Sequence, residues 1–212
     1  NLQSKRVRVA ISKGRILKEV CAYLAKAGYP NDIGKKDSRE LIFNVKNLQI
    51  LACKPSDVPK YVELGAADCG IVGSDCISEA ECDIYEPISL PIGKCRMVLA
   101  CSKDKRIELK AGMNIKIGTK YPRITQKFFL KKNIAPEIVF LNGSVELAPL
   151  TGLADAIVDI TETGSTIREN NLKIVETIME ISAKVIVNKT SFRTLNKEIE
   201  TITKTLVKKI KI

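Results

Sequence analysis

Three times in this chain a short run of aliphatic residues stops abruptly at a glycine or hydroxyl turn and passes into a helical pattern. Val7-Arg-Val-Ala-Ile11 is followed by Ser12-Lys13-Gly14 and then by Ile16, Leu17, Val20, Leu24 and Ala27 on one helical stripe. Cys69–Val72 is followed by Gly73-Ser74-Asp75, and Ala156–Ile160 by the hydroxyl-rich stretch Thr161–Thr166. Strands buried on both faces read as near-continuous aliphatic runs, and parallel neighbours need a helical crossover to connect them. The fold class is therefore α/β.

The remaining elements fall into two series. In the first, Leu41–Val45 and Leu48–Cys53 predict two strands about a Lys-Asn turn, Pro55 opens a helix that ends near Gly65, and Ile84–Leu90 returns to the sheet. The second predicts strands at Cys95–Cys101, Ile115–Gly118, Ile138–Leu141 and Ala156–Ile160, with helices over Ile124–Lys132, around Val145–Leu147 and over Thr163–Asn170. Apolar runs in Ile174–Ile181 and Val185–Val187 predict strands that lead away, and Thr190–Lys209 predicts one amphipathic terminal helix. Two α/β lobes follow: residues 1–90 with 180–212, and residues 91–179. Joined by crossing strands, such lobes are expected to place a ligand cleft between them.

The chain's 212 residues contain no histidine, which excludes Ser-His-Asp and Cys-His nucleophiles, an imidazole base and His-ligated zinc. Seven cysteines without a C-x-x-C pair and without a preceding signal peptide predict reduced thiols and a cytoplasmic location. No apolar run is long enough to cross a membrane. The net charge of +11 suggests a polyanionic partner. From Lys184 to Ile212, however, eight basic residues against two Glu read as a solvated helix face, and Asp68–Asp83 carries five acidic residues and no basic one. A continuous nucleic-acid track is disfavoured.

The segment richest in chemistry is Asp155–Leu172. A buried strand ends at Asp159, and Thr161, Glu162, Thr163, Gly164, Ser165 and Thr166 follow at the predicted start of a helix. Unsatisfied N–H groups there favour a phosphate, Gly164 lets backbone approach it, and Thr163, Ser165 and Thr166 add O–H donors. Asp159 suits ribose hydroxyls or a Mg²⁺ shell. The alternative is plain capping, because Thr166 and Glu169 also fit a capping box. The Walker pattern G-x-x-x-x-G-K-[ST] occurs nowhere in the chain.

The pattern D-x-x-x-T-G-x-T-I-x-x-N-x-L from Asp159, preceded by Gly143-Ser-Val-Glu-Leu-Ala-Pro149 and by Ser12-Lys13-Gly14-Arg15, resembles the ATP phosphoribosyltransferases of histidine biosynthesis. Asp57-Val-Pro59-Lys-Tyr-Val62, Gly70-Ile-Val-Gly73-Ser-Asp75 and Ile117-Gly-Thr119-Lys120-Tyr121-Pro122 extend the likeness over nearly the whole chain. The resemblance implies a two-lobed fold similar to type II periplasmic binding proteins. It also implies transfer of 5-phosphoribosyl from phosphoribosyl pyrophosphate to N1 of the ATP adenine, with Mg²⁺ as cofactor. On that likeness Asp159, Thr161, Glu162, Thr163, Gly164, Ser165 and Thr166 hold phosphoribosyl pyrophosphate, while Arg15 and Lys13 are the catalytic cations. Lys54, Gly73, Asp75 and Glu146 meet ATP or pyrophosphate, with helix capping the alternative for Asp75 and Glu146. Two positions depart from many similar members, which carry Lys at the place of Ser74 and a small residue at that of Glu162.

The likeness is to the family's short form, which implies a hetero-oligomer with a regulatory subunit similar to histidyl-tRNA synthetase. Partners expected are thus ATP, phosphoribosyl pyrophosphate and that subunit, with no nucleic acid and no membrane. A rival from the binding class is a two-lobed protein that closes on a small anion without reacting. Thr163-Gly164-Ser165-Thr166 suits a phosphosugar better than an amino acid.

Overall fold

The computed structural model describes residues 6–30 and 40–210. The first residues of the 1–90 lobe, and Lys211 of the basic stretch, lie outside the described residues. The chain divides into two units, one of Asn1–Gly93 with Ser182–Ile212 and one of Lys94–Ile181. Backbone bonds fix the first unit's edges: Leu90 N donates to Ala183 O at 2.8 Å and Ala183 N to Ile92 O at 2.9 Å.

Unit 1 is built on a six-stranded mixed sheet. Its strands are β1 (Val7–Ser12), β2 (Ile42–Val45), β3 (Leu48–Cys53), β4 (Cys69–Gly73), β5 (Tyr85–Ser89) and, from the returning chain, β11 (Ala183–Val187), in the order β2-β3-β1-β4-β11-β5. β1 lies parallel to β3 on one side and to β4 on the other. Helices α1 (Arg15–Lys26), α2 (Val58–Glu63) and α3 (Ser74–Ala80) follow β1, β3 and β4. On one sheet face Val7, Val9, Ile11, Leu48, Ile50 and Ile71 pack with Leu17, Val20 and Leu24 of α1; on the other Ala10 and Val72 pack with Val58 and Val62 of α2. Gly70 lets α2 close down on the sheet, since a Cβ there would stand 2.9 Å from Val62 Cγ2 and 3.2 Å from the Ala10 carbonyl oxygen.

Unit 2 has a five-stranded sheet made of β6 (Cys95–Ser102), β7 (Lys116–Thr119), β8 (Glu137–Phe140), β9 (Ala156–Thr161) and β10 (Leu172–Ile181), in the order β10-β6-β9-β7-β8. β9, β7 and β8 are mutually parallel, and β6 runs antiparallel to both β9 and β10. α4 (Pro122–Leu130), α5 (Leu147–Leu150) and α6 (Ser165–Glu169) follow the three parallel strands.

The terminal helix read as one is two, α7 (Lys189–Thr194) and α8 (Asn196–Ile210), broken at Leu195 with φ −128°. Asn188 caps α7 by accepting from Thr190 N and Ser191 N, and Ser191 Oγ donates to the Asp68 carboxylate at 2.9 Å. These bonds set α7's direction separately from α8, whose Ile199, Ile202 and Leu206 are buried in the unit 1 core. The helix expected over Thr163–Asn170 is shorter, and Gly164 in the left-handed region (φ 76°) is its N-cap. Thr166 lies inside the helix, so the Thr166–Glu169 capping box does not form.

Candidate functional site

In unit 1, register places the carboxyl ends of β1, β3 and β4 side by side, with Ser12 opposite Cys53 and Ile11 opposite Ile71. Lys13 N donates to Cys53 O at 2.8 Å, which ties the β1 and β3 exits together. Lys13, Arg15 and Lys54, from distant parts of the sequence, therefore gather at one sheet edge, and all three are exposed. The strand order reverses about β1, the place where open α/β sheets bind ligands. Gly14, with φ 95°, starts α1, whose first turn carries no acidic residue. Arg15 Nε lies 3.4 Å from Glu19 Oε1 with both side chains partly exposed, a pairing weak enough for an anion to compete with.

Gly73 is the N-cap of α3, and Ser74 and Asp75 at its start are buried. Ser74 N donates to Ser182 O at 3.0 Å, and Asp75 Oδ2 accepts from Cys76 Sγ at 3.5 Å. A carboxylate at a helix start complements the dipole, so Asp75 sits where capping chemistry and the β4 exit coincide. Cys53, half-buried, ends β3 beside these groups. Burial, followed by the nearby Asp57 carboxylate, raises its thiol pKa, and Lys13 opposes the rise. The thiol stays protonated at neutral pH.

In unit 2 the same arrangement recurs on β9, β7 and β8, with Thr119 opposite Val158 and Phe140. β9 delivers Asp159–Thr166, β7 delivers Lys120 and Tyr121, and β8 delivers Gly143–Glu146. Asp159 Oδ1 accepts from Ile160 N at 2.8 Å and lies 4.0 Å from Lys120 Nζ. Thr161 is buried and its Oγ1 accepts from Gly164 N at 2.9 Å, which folds the loop back on the strand. Thr163 Oγ1 lies 3.0 Å from Ser165 Oγ and accepts from Ser165 N at 3.3 Å. Arg168 Nη1 donates to Thr163 O at 3.1 Å, which occupies that carbonyl with a cation. Glu162, Thr163 and Thr166 are exposed. The amides of Ser165, Thr166 and Ile167 precede the first intrahelical bond, Arg168 N to Gly164 O.

Glu146 is half-buried at the N-cap of α5, where its side chain makes no capping bond. A hollow of about 530 Å³ in unit 2, lined by residues including Glu108, Met113, Ile115 and Asp155, lies at the strands' amino-terminal edge. None of the candidate residues lines it.

Sequence reasoning quoted Lys120 without assigning it a role, and passed over Arg168. Lys120 becomes legible only when β7 is seen between β9 and β8; Arg168 was readable as the cation four residues beyond Gly164.

Among the described residues no group of three or more Asp, Glu or Cys is placed to enclose a metal ion. Asp159 at the exit of β9 is an oxygen donor of the kind that an ion such as Mg²⁺ takes beside waters and substrate oxygens.

The geometry has counterparts in known proteins. The family model for ATP phosphoribosyltransferase matches residues 54–208. An ATP phosphoribosyltransferase of Clostridium novyi is 46% identical over 203 residues, 93% of this chain and 95% of that protein. Among solved structures, a chain of the ATP phosphoribosyl transferase (HisG:HisZ) complex from Thermotoga maritima superposes with a TM-score of 0.83 at 38% identity, covering 97% of this chain and 98% of that one. The fold alone extends to the substrate binding protein of an amino acid ABC transporter, with a TM-score of 0.54 at 16% identity, covering 97% of this chain and 91% of that one. Together with strand exits that gather three cations in unit 1 and a hydroxyl-lined loop in unit 2, the matches over nearly its full length show that this chain belongs to the ATP phosphoribosyltransferase family.

Proposed function

We propose that the chain carries out the first step of histidine biosynthesis with its substrates divided between the units: phosphoribosyl pyrophosphate on the exit loops of unit 2, and ATP with the diphosphate oxygens on those of unit 1. The observation that carries this reading is the parallel arrangement of the candidates. In unit 1 they leave three adjacent parallel strands at the carboxyl edge, and in unit 2 they leave the outer two of three, β9 and β8, at the same edge; cations dominate the first set and hydroxyls the second.

In unit 2 the 5-phosphate lies against Thr163, Gly164, Ser165 and Thr166, where O–H and N–H donors are available to it. Thr161 and Arg168 position that loop, and Asp159 faces the ribose hydroxyls. In unit 1 Lys13, Arg15 and Lys54 meet polyphosphate. The lone pair of adenine N1 attacks the anomeric carbon, the C–N bond forms as the C–O bond to diphosphate breaks, and the bonding pair leaves on the diphosphate oxygen. The nucleophile is neutral, so no imidazole base is required of a chain without histidine. Arg15 and Lys13 act on the charge that grows on the departing group, where electrostatic stabilisation contributes most. A carboxylate such as Asp159 would hold a Mg²⁺ brought in with the substrate, and the ion would supply further charge neutralisation of the diphosphate.

We further propose a hetero-oligomer with a regulatory subunit similar to histidyl-tRNA synthetase. Support comes from the close match to a chain of a HisG:HisZ complex. A cytoplasmic setting agrees with seven cysteines that form no disulfide, and no described helix is long and apolar enough to cross a membrane. The reaction is tested by incubating the protein with phosphoribosyl pyrophosphate, ATP and Mg²⁺, with and without the partner subunit, and identifying the product by mass spectrometry. Phosphoribosyl-ATP with equimolar pyrophosphate supports the reading; binding without turnover in both arms leaves a small-anion binding protein.

A further inference from the structure

The three strand exits of unit 2 are short of positive charge. Residues 119–121, 141–146 and 159–166 contain three carboxylates, Glu146, Asp159 and Glu162, and one cation, Lys120, while Arg168 just beyond them donates from Nη1 to the Thr163 carbonyl. A phosphorylated sugar carrying a diphosphate is strongly anionic, and like charges at such a face repel it. Lys120 directly follows β7, the middle strand of the order β9-β7-β8, whose neighbours deliver the hydroxyl loop and the Gly143–Glu146 turn.

Its placement is fixed from below. Thr119, fully buried, donates from Oγ1 to Val158 O at 2.7 Å and accepts at Oγ1 from Tyr121 N at 2.9 Å. Thr125, also fully buried, donates to Tyr121 O at 2.7 Å. These bonds lock the backbone on both sides of Lys120, while its side chain remains 38% exposed. The ammonium lies 5.2 Å from the centre of the Tyr121 ring and 4.0 Å from Asp159 Oδ1. At 4.0 Å it holds the carboxylate by charge without spending a hydrogen bond, which leaves its N–H donors for a ligand.

We propose that Lys120 is a substrate-binding residue for phosphoribosyl pyrophosphate: its ammonium donates to a phosphate oxygen and offsets the carboxylates of the unit 2 face. This rests on the assignment of that substrate to unit 2.

The test compares Lys120→Met, which keeps the stem and removes the charge, with Lys120→Arg, in the complex with the partner subunit. The Met variant is expected to raise KM for phosphoribosyl pyrophosphate about ten- to a hundredfold, the range for one charge-assisted hydrogen bond. KM for ATP should move less than about twofold, with an unaltered thermal midpoint, and the Arg variant should recover most of the loss. The salt dependence of KM for phosphoribosyl pyrophosphate should flatten in the Met variant, a change that a purely structural role would not produce. Unchanged kinetics, or equal rises for both substrates, overturn the inference. Should Gly164→Val still raise KM for phosphoribosyl pyrophosphate while Lys120→Met does not, only the role of Lys120 falls; no effect from either removes the unit 2 assignment as well.

Discussion

Arg8 grips the carboxylate of Asp68, sixty residues away, at three points: its backbone N–H donates to Oδ2 at 2.8 Å, Nε to Oδ2 at 3.2 Å and Nη2 to Oδ1 at 3.0 Å. Ser191 Oγ adds a fourth bond from the returning chain. The start of β1, the approach to β4 and α7 are thus fastened at one buried carboxylate, at the sheet edge opposite Lys13, Arg15 and Lys54. Asp68→Ala removes all the side-chain acceptors at once and is expected to cost about 2–4 kcal/mol, measured by urea unfolding.

The same group sets a pH dependence. Burial alone would raise the Asp68 pKa, but the bonds from Arg8 and Ser191 outweigh it and hold the carboxyl below its ordinary range. A carboxylate with a lowered folded-state pKa contributes stability that is present above the unfolded value of about 3.9 and lost as pH falls through the folded value. Stability of the wild type should therefore decline below about pH 4, and the Asp68→Ala variant should lose less over that window. Parallel declines would remove Asp68 as the titrating group.

Gly70 tests packing without touching the site. An alanine there brings a methyl group against Val58 and Val62 and toward the Ala10 carbonyl. A loss of about 1–3 kcal/mol is expected from this overpacking, with KM values close to wild type. Differential scanning calorimetry together with steady-state kinetics reads both.

Arg15→Ala concerns the transition state. If its guanidinium meets polyphosphate as charge develops, kcat and kcat/KM fall together, and Arg15→Lys restores only part because it lacks the planar fork. Full kcat at saturating substrates would reduce Arg15 to a partner of Glu19.

Much of this was readable in the chain because it is written locally. β4 is buried along its whole length, and β1 and β9 along most of theirs, so each shows as an aliphatic run with a turn directly after it. The loop at Thr161–Thr166 was readable because its hydroxyls and glycine are contiguous. What could not be read depends on residues far apart. Leu195 keeps the helical spacing of Ile199 and Ile202, yet the helix breaks there, beside an α7 anchored by Asn188 and by the Ser191–Asp68 bond. The capping box at Thr166 and Glu169 fitted the spacing, but Gly164 takes the left-handed cap first. Lys120 acquires its place only from the sheet order, which no local pattern encodes.

Calorimetric titration of the wild type and Gly164→Val with each substrate tests most directly whether phosphoribosyl pyrophosphate binds on the loop after β9. A valine at φ 76° is strained, and its Cβ would stand 3.0 Å from Arg168 Nη1, so the loop must shift. The variant is expected to bind phosphoribosyl pyrophosphate at least about tenfold more weakly while ATP binding and the thermal midpoint stay near wild type. Unchanged affinity for phosphoribosyl pyrophosphate, with ATP binding weakened instead, would contradict it.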